Sequence, residues 1–230
     1  TIALMKFSGA SGVLNIISIP RDLYGNVGDK RMRFNRAIGE DRVEELLALM
    51  DDLTGIPVDK YIILDLKTVS ETVDALGGIG ADFPERITDP VSGFSLDAGV
   101  QQLDGETTVW LIRNRFAPEG DLFRERNQHL VMEAIFKKFN SLGSVKKTQF
   151  LFKMLPEITK STTNFSIGEV VADLRDVGDV EFNGITLDFG TGLLRTISLP
   201  TPEGDAYVLI PSGGMDQYGE IKSYILERIK

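Results

Sequence analysis

Runs of apolar residues predict strands at intervals along the chain. Residues 13–19, VLNIISI, are almost continuously apolar and are followed by Pro20, a pattern typical of a strand buried on both faces. Residues 61–66, YIILDL, and residues 107–116, TTVWLIRNRF, predict two further strands. The first residues, TIALMKF, already alternate as a strand does, so we expect the sequence to begin inside its own fold.

Apolar positions at helical spacing separate these strands. A helix is predicted after Asp41 and ends near Gly55, with apolar positions Val43, Leu46, Leu47, Met50 and Leu53. Later patterns predict a turn at Gly77 and Gly78, helices over 68–76, 122–139, about 167–176 and from Asp216, and short strands near 185–198 and 206–210. This alternation, without a linker, predicts one domain over residues 1–230: a single α/β/α sandwich with a mixed, mainly parallel central sheet flanked by helices.

Composition and charge narrow the chemistry that this domain can perform. The chain contains no cysteine, which excludes disulfides and a cysteine nucleophile, and its single histidine, His129, excludes a multi-histidine metal site. The net charge of −9 argues against nucleic acid as a partner, because duplex binding rests on a basic surface. A local cluster of arginines in so acidic a chain is therefore a candidate binding site.

Such a cluster lies in residues 113–128, RNRFAPEGDLFRERNQ. Arg113 and Arg115 stand at the carboxyl end of a predicted strand, where α/β sheets bind ligands. Asp121 stands at the predicted N-cap of the next helix, and Arg124 and Gln128 follow it at spacings of three and four, which place all three on one helix face. The positive end of the helix adds to the arginine charges, so the stretch predicts an anion site.

A second basic segment strengthens this interpretation. SIPRD, residues 18–22, places Arg21 at the end of another strand, and KRMRFNRA, residues 30–37, follows in the connecting loop. Several guanidinium forks near one sheet edge suit a pyrophosphate better than a carboxylate. The alternative, that the arginines form a solvated face paired with nearby acids such as Glu119 and Glu125, stays open.

These segments resemble the LytR-CpsA-Psr family of bacterial cell-envelope proteins. The resemblance is carried by SIPRD, RFNRA, VDKYIILDLKTVSETVDALGGIG and IRNRFAPEGDLFRERNQ, and less strongly by TTNFSIGEVV and YVLIPSGGMDQYGEIKSYI. They follow one another in order over nearly the whole chain. The resemblance implies an α/β sandwich with an apolar cavity for a lipid tail and arginines that hold a pyrophosphate.

The resemblance also implies an activity and a location. Family members are phosphotransferases that move a glycopolymer from a polyprenyl pyrophosphate carrier onto peptidoglycan, with lipid pyrophosphatase activity as a possible side reaction. The expected location is the extracytoplasmic face of the bacterial membrane, where an amino-terminal helix, missing here, would anchor a domain of which this chain is a soluble fragment. The alternative is a non-catalytic domain that binds polyprenyl phosphate or pyrophosphate.

Individual roles follow the family motifs residue by residue. The resemblance assigns catalysis to Arg21, Arg113, Arg115, Asp121 and Arg124, and substrate binding to Arg33, Asn35, Arg126 and Gln128. Two positions depart from the family pattern: Arg33 replaces a lysine, and Asn127 replaces an arginine, with Arg126 one place earlier. The family's metal-binding aspartates lie upstream of Thr1, so Mg²⁺ is implied by the resemblance alone and its ligands here are unknown.

Other conspicuous residues have simpler interpretations. We expect His129 to be a helix-surface or packing residue, and Asp65 and Asp74 to serve turns and helix caps. Five of the thirteen phenylalanines are expected to belong to the core, although the resemblance implies that some of them could line the lipid-tail pocket; they are Phe123, Phe136, Phe139, Phe150 and Phe152.

Overall fold

The computed structural model describes residues 2–9, 11–114, 121–166, 168–169, 181–187, 189–201 and 204–230. The chain divides into two compact units, the first formed by Thr1–Asp59 with Glu181–Lys230 and the second by Lys60–Val180. The expectation of a single domain stays a prediction. None of the described helices is long and apolar enough to span a membrane.

Strands and short helices open the chain. In order they are β1 (Ile2–Ser8), β2 (Val13–Ile19), β3 (Tyr24–Val27), β4 (Lys30–Arg33), α1 (Phe34–Gly39), α2 (Val43–Thr54), β5 (Ile62–Ile63), α3 (Leu66–Ala75), β6 (Ile79–Phe83), β7 (Ile87–Thr88), β8 (Ser95–Leu96) and β9 (Gly99–Leu103). The remaining elements are α4 (Gly105–Arg113), α5 (Asp121–Asn140), α6 (Ser144–Lys160), β10 (Thr162–Thr163), β11 (Glu181–Thr186), a 3-10 turn (Phe189–Thr191), β12 (Leu194–Thr201), β13 (Gly204–Pro211) and α7 (Gly219–Leu226).

The first unit is organised around β2. This strand pairs antiparallel with β1 and parallel with β11, so it is the middle strand of a three-stranded mixed sheet. Its Ile16 and Ile17 are both fully buried, which confirms the prediction of a strand covered on both faces. Apolar residues of α2 and α7, among them Leu53 and Ile221, complete the core against this sheet.

The predicted helix after Asp41 is confirmed as α2. Its buried residues follow the helical spacing, and Gly55 ends it in the left-handed conformation with φ 72°. The hairpin of β3 and β4 follows β2 directly, and β12 and β13 form a second hairpin in this unit.

The second unit surrounds the antiparallel pair of β6 and β9. Ile79 lies opposite Leu103 in this pair, and both are buried in a core that α3, α4 and α5 share. Asp65 caps α3 by accepting a hydrogen bond from the Thr68 backbone N–H at 2.7 Å. This cap starts the helix at Leu66, so the strand predicted over 61–66 is confined to Ile62–Ile63.

The prediction of a strand over residues 107–116 is wrong for residues 107–113, and residues 115–116 lie outside the described residues. Residues Gly105–Arg113 form helix α4, and Arg113 therefore ends a helix rather than a strand. The Asp104 side chain caps this helix by accepting from the Thr107 backbone N–H at 2.8 Å, and Thr108, Leu111 and Ile112 are buried at helical spacing. The cap and the core therefore outweigh the strand preference of the β-branched and aromatic residues.

The α/β class and the mixed sheet are confirmed, but parallel pairing is less extensive than predicted. The β2–β11 ladder is parallel, whereas the other ladders among the described residues are antiparallel. Hairpins account for part of this difference, because two strands joined by a few residues, such as β3 with β4 and β12 with β13, can pair only antiparallel. The strand predicted near 185–198 is two strands separated by the 3-10 turn, and the helix predicted near 167–176 lies outside the described residues.

We predict that Asp104→Ala lowers the free energy of unfolding by about 1 kcal/mol, the usual effect of losing an N-cap. The hydrogen bond from Thr107 holds the pKa of the Asp104 carboxyl below its ordinary value. The stabilisation by the ionised Asp104 cap is fully present above the ordinary pKa of aspartate and is lost as the pH falls through the lowered pKa of the folded state. The free energies of unfolding of wild type and variant should therefore converge in acid. Urea unfolding at several pH values measures this. The exposed Glu85→Ala is the control, and an equal loss in both variants would contradict the capping role.

Candidate functional site

In the first unit, Arg21 lies just after β2, where the sequence predicts it. Its Nε lies 3.6 Å from Oδ2 of Asp22, and its backbone carbonyl accepts a hydrogen bond from the Asn35 N–H at 3.0 Å. The Asn35 side chain in turn donates to Oδ1 of Asp22 at 3.3 Å. Asp22, which was not among the predicted site residues, therefore joins Arg21 to Asn35.

Two polar atoms in this group retain hydrogen-bonding capacity. Nε of Arg21 and Oδ1 of Asn35 are buried, and neither has a hydrogen-bond partner among the described residues. A buried donor and a buried acceptor without partners are costly unless water or a ligand satisfies them. Arg33 lies near this group in sequence, at the start of α1; it is exposed and donates through Nη2 to the Tyr207 carbonyl at 3.0 Å. The structure thus brings Arg21, Asp22 and Asn35 into direct contact.

In the second unit, α4 and α5 pack against each other near their arginines. Gln128 donates through Nε2 to the Ile112 carbonyl at 2.9 Å, which satisfies one of the open carbonyls at the end of α4. This hydrogen bond holds the last turn of α4, which carries Arg113, against α5. Arg124 lies one turn before Gln128 on the same face of α5.

The arginines of this group differ sharply in exposure. Arg124 is only 2% exposed, whereas Arg113 and Arg126 are exposed. Arg126 lies over the ring of Phe123, with 5.8 Å between the guanidinium carbon and the ring centroid. A buried guanidinium is expensive to desolvate, so Arg124 is the most constrained charge of the predicted set. Arg115 and the side chain of Asp121 lie outside what the structure describes; α5 begins at Asp121, which places that residue in the first turn rather than at the cap.

Asn127 occupies the position where the family pattern has an arginine. It is buried, and its Nδ2 has no hydrogen-bond partner among the described residues. The neighbouring Arg126 is exposed and therefore does not take over that buried position. The role predicted for Arg126 in substrate binding stays a prediction, as do the other assigned roles.

Several residues are predicted to have packing or capping roles and no role in binding, and their surroundings test these predictions. Burial lowers the pKa of His129 and the nearby Glu133 opposes this shift, as expected for a packing residue on α5. Asp74 accepts from the Gly105 backbone N–H at 2.8 Å and so serves the start of α4, in agreement with the capping prediction. Phe123 belongs to the core as predicted, but Phe152 is 70% exposed and does not.

Asp216 is the centre of a polar cluster that was not predicted from the sequence. This residue accepts hydrogen bonds from the Asn26 backbone and side chain at 2.9 and 2.8 Å and from the Tyr218 hydroxyl at 3.1 Å. Burial raises the pKa of Tyr218, and the negative charge of Asp216 raises it further. The Gly213–Gly214 pair before Asp216 signals a tight turn but not this contact.

The part of each unit that the structure describes contains no evident metal-binding cluster. Among the described residues, no group of three or more His, Asp or Glu side chains lies close enough to hold a metal ion. The magnesium prediction continues to rest on the resemblance.

Comparison with known proteins decides the family. Residues 1–188 match the LytR_cpsA_psr family. The chain belongs to this family. LytR_cpsA_psr relatives include the probable cell wall biosynthesis protein LcpB of Corynebacterium glutamicum, 29% identical over 69% of this chain and 38% of that protein. They also include the Enterococcus faecalis polyisoprenyl-teichoic acid–peptidoglycan teichoic acid transferase TagU, 26% identical over 78% of this chain and 59% of that protein. The chain thus spans about four- to six-tenths of the length of these relatives.

Solved structures of the LytR_cpsA_psr family share the fold. Bacillus subtilis TagV matches with a TM-score of 0.74 and 20% identity over 97% of this chain and 86% of that one. A LytR-Csp2A-Psr enzyme from Actinomyces oris matches with a TM-score of 0.70 and 21% identity over 97% and 84% of the two chains.

We predict that Gln128→Ala lowers the free energy of unfolding by about 1 kcal/mol, because it removes the hydrogen bond to the Ile112 carbonyl at the end of α4. Urea unfolding followed by circular dichroism measures the change. The matched control is Gln149→Ala on the exposed side of α6, which should leave stability within about 0.5 kcal/mol of wild type. Equal stabilities of wild type and Gln128→Ala would contradict the anchoring role.

His129 offers a direct electrostatic test because it is the only histidine. Burial disfavours its charged form, so we expect an NMR titration midpoint below the ordinary value of about 6.5. The unfolded chain then binds a proton more readily than the folded one, so this residue lowers stability as the pH falls through that range. His129→Gln should remove that part of the pH dependence. A midpoint at or above the ordinary value would contradict the burial argument.

Proposed function

We propose that this chain is a phosphotransferase domain that moves a glycopolymer from a polyprenyl pyrophosphate carrier onto peptidoglycan. Membership of the LytR_cpsA_psr family supports this, as do relatives named teichoic acid transferases. The related TagT, with a TM-score of 0.72 and 20% identity over 98% of this chain and 83% of that one, has been solved bound to LIIa-WTA. The name of that ligand suits a glycopolymer substrate.

The observation that carries the proposal is the pair of arginine groups within the family-matched residues. Arg21 contacts an acid and an amide in the first unit, and α4 and α5 hold Arg113 and Arg124 in the second. Fixed guanidinium groups bind phosphate oxygens bidentately and stay charged at any working pH. Because the whole chain carries a net charge of −9, it does not attract anions in general, so these arginines favour binding of an anion at a specific site.

The proposed chemistry uses these charges to stabilise a leaving phosphate. A hydroxyl of the acceptor attacks the phosphorus that carries the glycopolymer, and a new P–O bond forms. The bond to the bridging oxygen breaks, polyprenyl phosphate leaves with the electron pair, and the hydroxyl proton passes to a base or to water. Arginines aimed at the leaving oxygens lower the barrier when they bind this developing charge more tightly than the ground state.

Asp121 is assigned an orienting role in this proposal. A carboxylate close to several guanidinium groups is a weak base, because the positive charges favour its ionised form. It can instead hold Arg113 or Arg115 in position by hydrogen bonding. The proposal also includes a location on the extracytoplasmic face, a membrane anchor outside this sequence and a requirement for Mg²⁺, all of which rest on the resemblance.

A second candidate function is binding of the lipid carrier without catalysis. The buried Asn127 favours it, because this position lacks the arginine of the family pattern and Arg126 is exposed beside it. A domain with fewer fixed charges at the pyrophosphate could bind the carrier yet stabilise the leaving phosphate poorly.

We predict that Arg113→Ala and Arg21→Ala each weaken binding of a short-chain polyprenyl pyrophosphate by about 1.5–3 kcal/mol, the scale of a lost charge-assisted hydrogen bond. Calorimetric titration with and without Mg²⁺ measures this. Arg86→Ala removes the same charge from an exposed residue paired with Asp97 and should leave binding unchanged. Retained affinity in both site variants, or equal loss in the control, would contradict the site.

Turnover separates the two candidate functions. A transferase should release polyprenyl phosphate from the lipid-linked substrate in the presence of an acceptor, and Arg124→Met should slow this release far more than it weakens binding. Tight binding with no release by the wild type, with or without Mg²⁺, would support the carrier-binding function.

A further inference from the structure

Helix α6 presents two bulky apolar side chains to solvent. Val145 is 73% exposed and Phe152 is 70% exposed, whereas Met154 on the other side of the helix is buried. Phe152 follows Val145 by seven positions, which is close to two turns, so the two lie on one face about 10 Å apart along the axis. The opposite side packs inward, where Phe150 contacts Phe139 with 5.4 Å between the ring centroids.

Lys146 and Lys153 each follow one of these two apolar residues in sequence, and they also line a neighbouring groove that Val145 and Phe152 do not line. Lys146 and Lys153 of α6 and Lys138 of α5 line an open groove of about 500 Å³, whose apolar lining includes Leu142 and Phe150. The neighbouring Lys137 pairs with Glu133 at 2.5 Å, but no carboxylate among the described residues forms an ion pair with any of the three groove lysines. The acid that lines the groove is Asp74, one oxygen of which accepts from the Gly105 N–H.

We propose that the surface formed by Val145, Phe152, Lys146 and Lys153, here named the α6 surface, docks on an anionic lipid bilayer. Phe152 and Val145 enter the headgroup region with their apolar ends toward the acyl chains. The lysines extend to lipid phosphates and keep their ammonium groups in the polar layer. The docking needs no catalytic step, so it goes beyond the proposed transfer and stands or fails separately.

The negative net charge of the whole chain limits the orientations in which it can dock on an anionic bilayer. With a net charge of −9, most of the protein is repelled by an anionic surface, and a local patch of unpaired lysines is the part that can approach it. Attraction of this kind extends over about one Debye length, so it holds the apolar residues close to the bilayer without a large basic face.

The same observations fit an anionic glycopolymer less well. Phosphate groups of a polymer could bind the lysines, and a sugar could stack on Phe152. A polymer would nevertheless leave Val145 in water, whereas a bilayer removes both apolar side chains from water together. The pairing of two exposed apolar residues with unpaired lysines therefore favours a lipid surface.

The test is binding of the full chain to vesicles of phosphatidylglycerol and phosphatidylcholine, measured by co-sedimentation at low and physiological salt. We expect wild type to bind vesicles rich in phosphatidylglycerol and to be released by salt. Phe152→Ser should lower the partition coefficient about tenfold, and Lys146→Gln and Lys153→Gln about fivefold each. Because these side chains are exposed, circular dichroism should show unchanged folding.

Matched controls distinguish docking from general attraction. Val91→Ser removes an apolar residue that is 81% exposed in a loop, and Lys6→Gln removes an exposed lysine of β1; neither should change partitioning. No binding of the wild type to anionic vesicles at low salt would overturn the proposal. So would equal losses in the controls. Loss in the lysine variants with no effect of Phe152→Ser would also overturn it and would indicate an anion-binding groove for a polymer.

Discussion

The close approach of α4 to α3 is the constraint on which the second unit depends. A side chain at Gly105 would collide with the Ser70 carbonyl and hydroxyl and with Asp74, so only glycine allows the first turn of α4 to lie there. The Gly105 N–H donates to Asp74, and Asp104 caps the same turn. Gln128 holds the other end of α4 through the Ile112 carbonyl. A helix fixed at both ends places the backbone of Arg113 at a defined position, which suits its proposed binding role.

The arginines of the two units differ in how deeply their charged groups are buried. This difference affects how tightly each arginine can define a binding site. Arg124 is almost completely buried in a chain with many acids, and natural proteins rarely bury a guanidinium without a structural or functional reason. Arg21 is partly exposed but lies beside Asp22 and Asn35, with a buried donor and acceptor that lack partners in the described residues. Exposed arginines such as Arg126 can change orientation at little cost and therefore define a site less tightly.

Much of the fold could be predicted because buried strands and amphipathic helices leave strong periodic patterns. The central strand over 13–19 and the helix ended by Gly55 are of this kind. Residues 107–116 were misread because threonine, valine and tryptophan favour strands locally, and the Asp104 cap and the shared core reverse that preference. The contacts of Asp216 and Gln128 could not be predicted, since they join segments that are distant in sequence.

The correction at α4 also changes what Arg113 does for the protein. At the end of a strand its charge would have served a ligand alone, but in the last turn of a helix it also interacts favourably with the negative end of the helix dipole. That interaction, about 0.3–1 kcal/mol at an exposed position, exists with or without a ligand. The open carbonyls at the same helix end would repel a phosphate, so Arg113 must offset that field before it attracts an anion. The proposed anion binding would therefore rest on side-chain charge rather than on the helix itself, and in that proposal Arg124, buried and close to the positive end of α5, is the stronger anchor of the two.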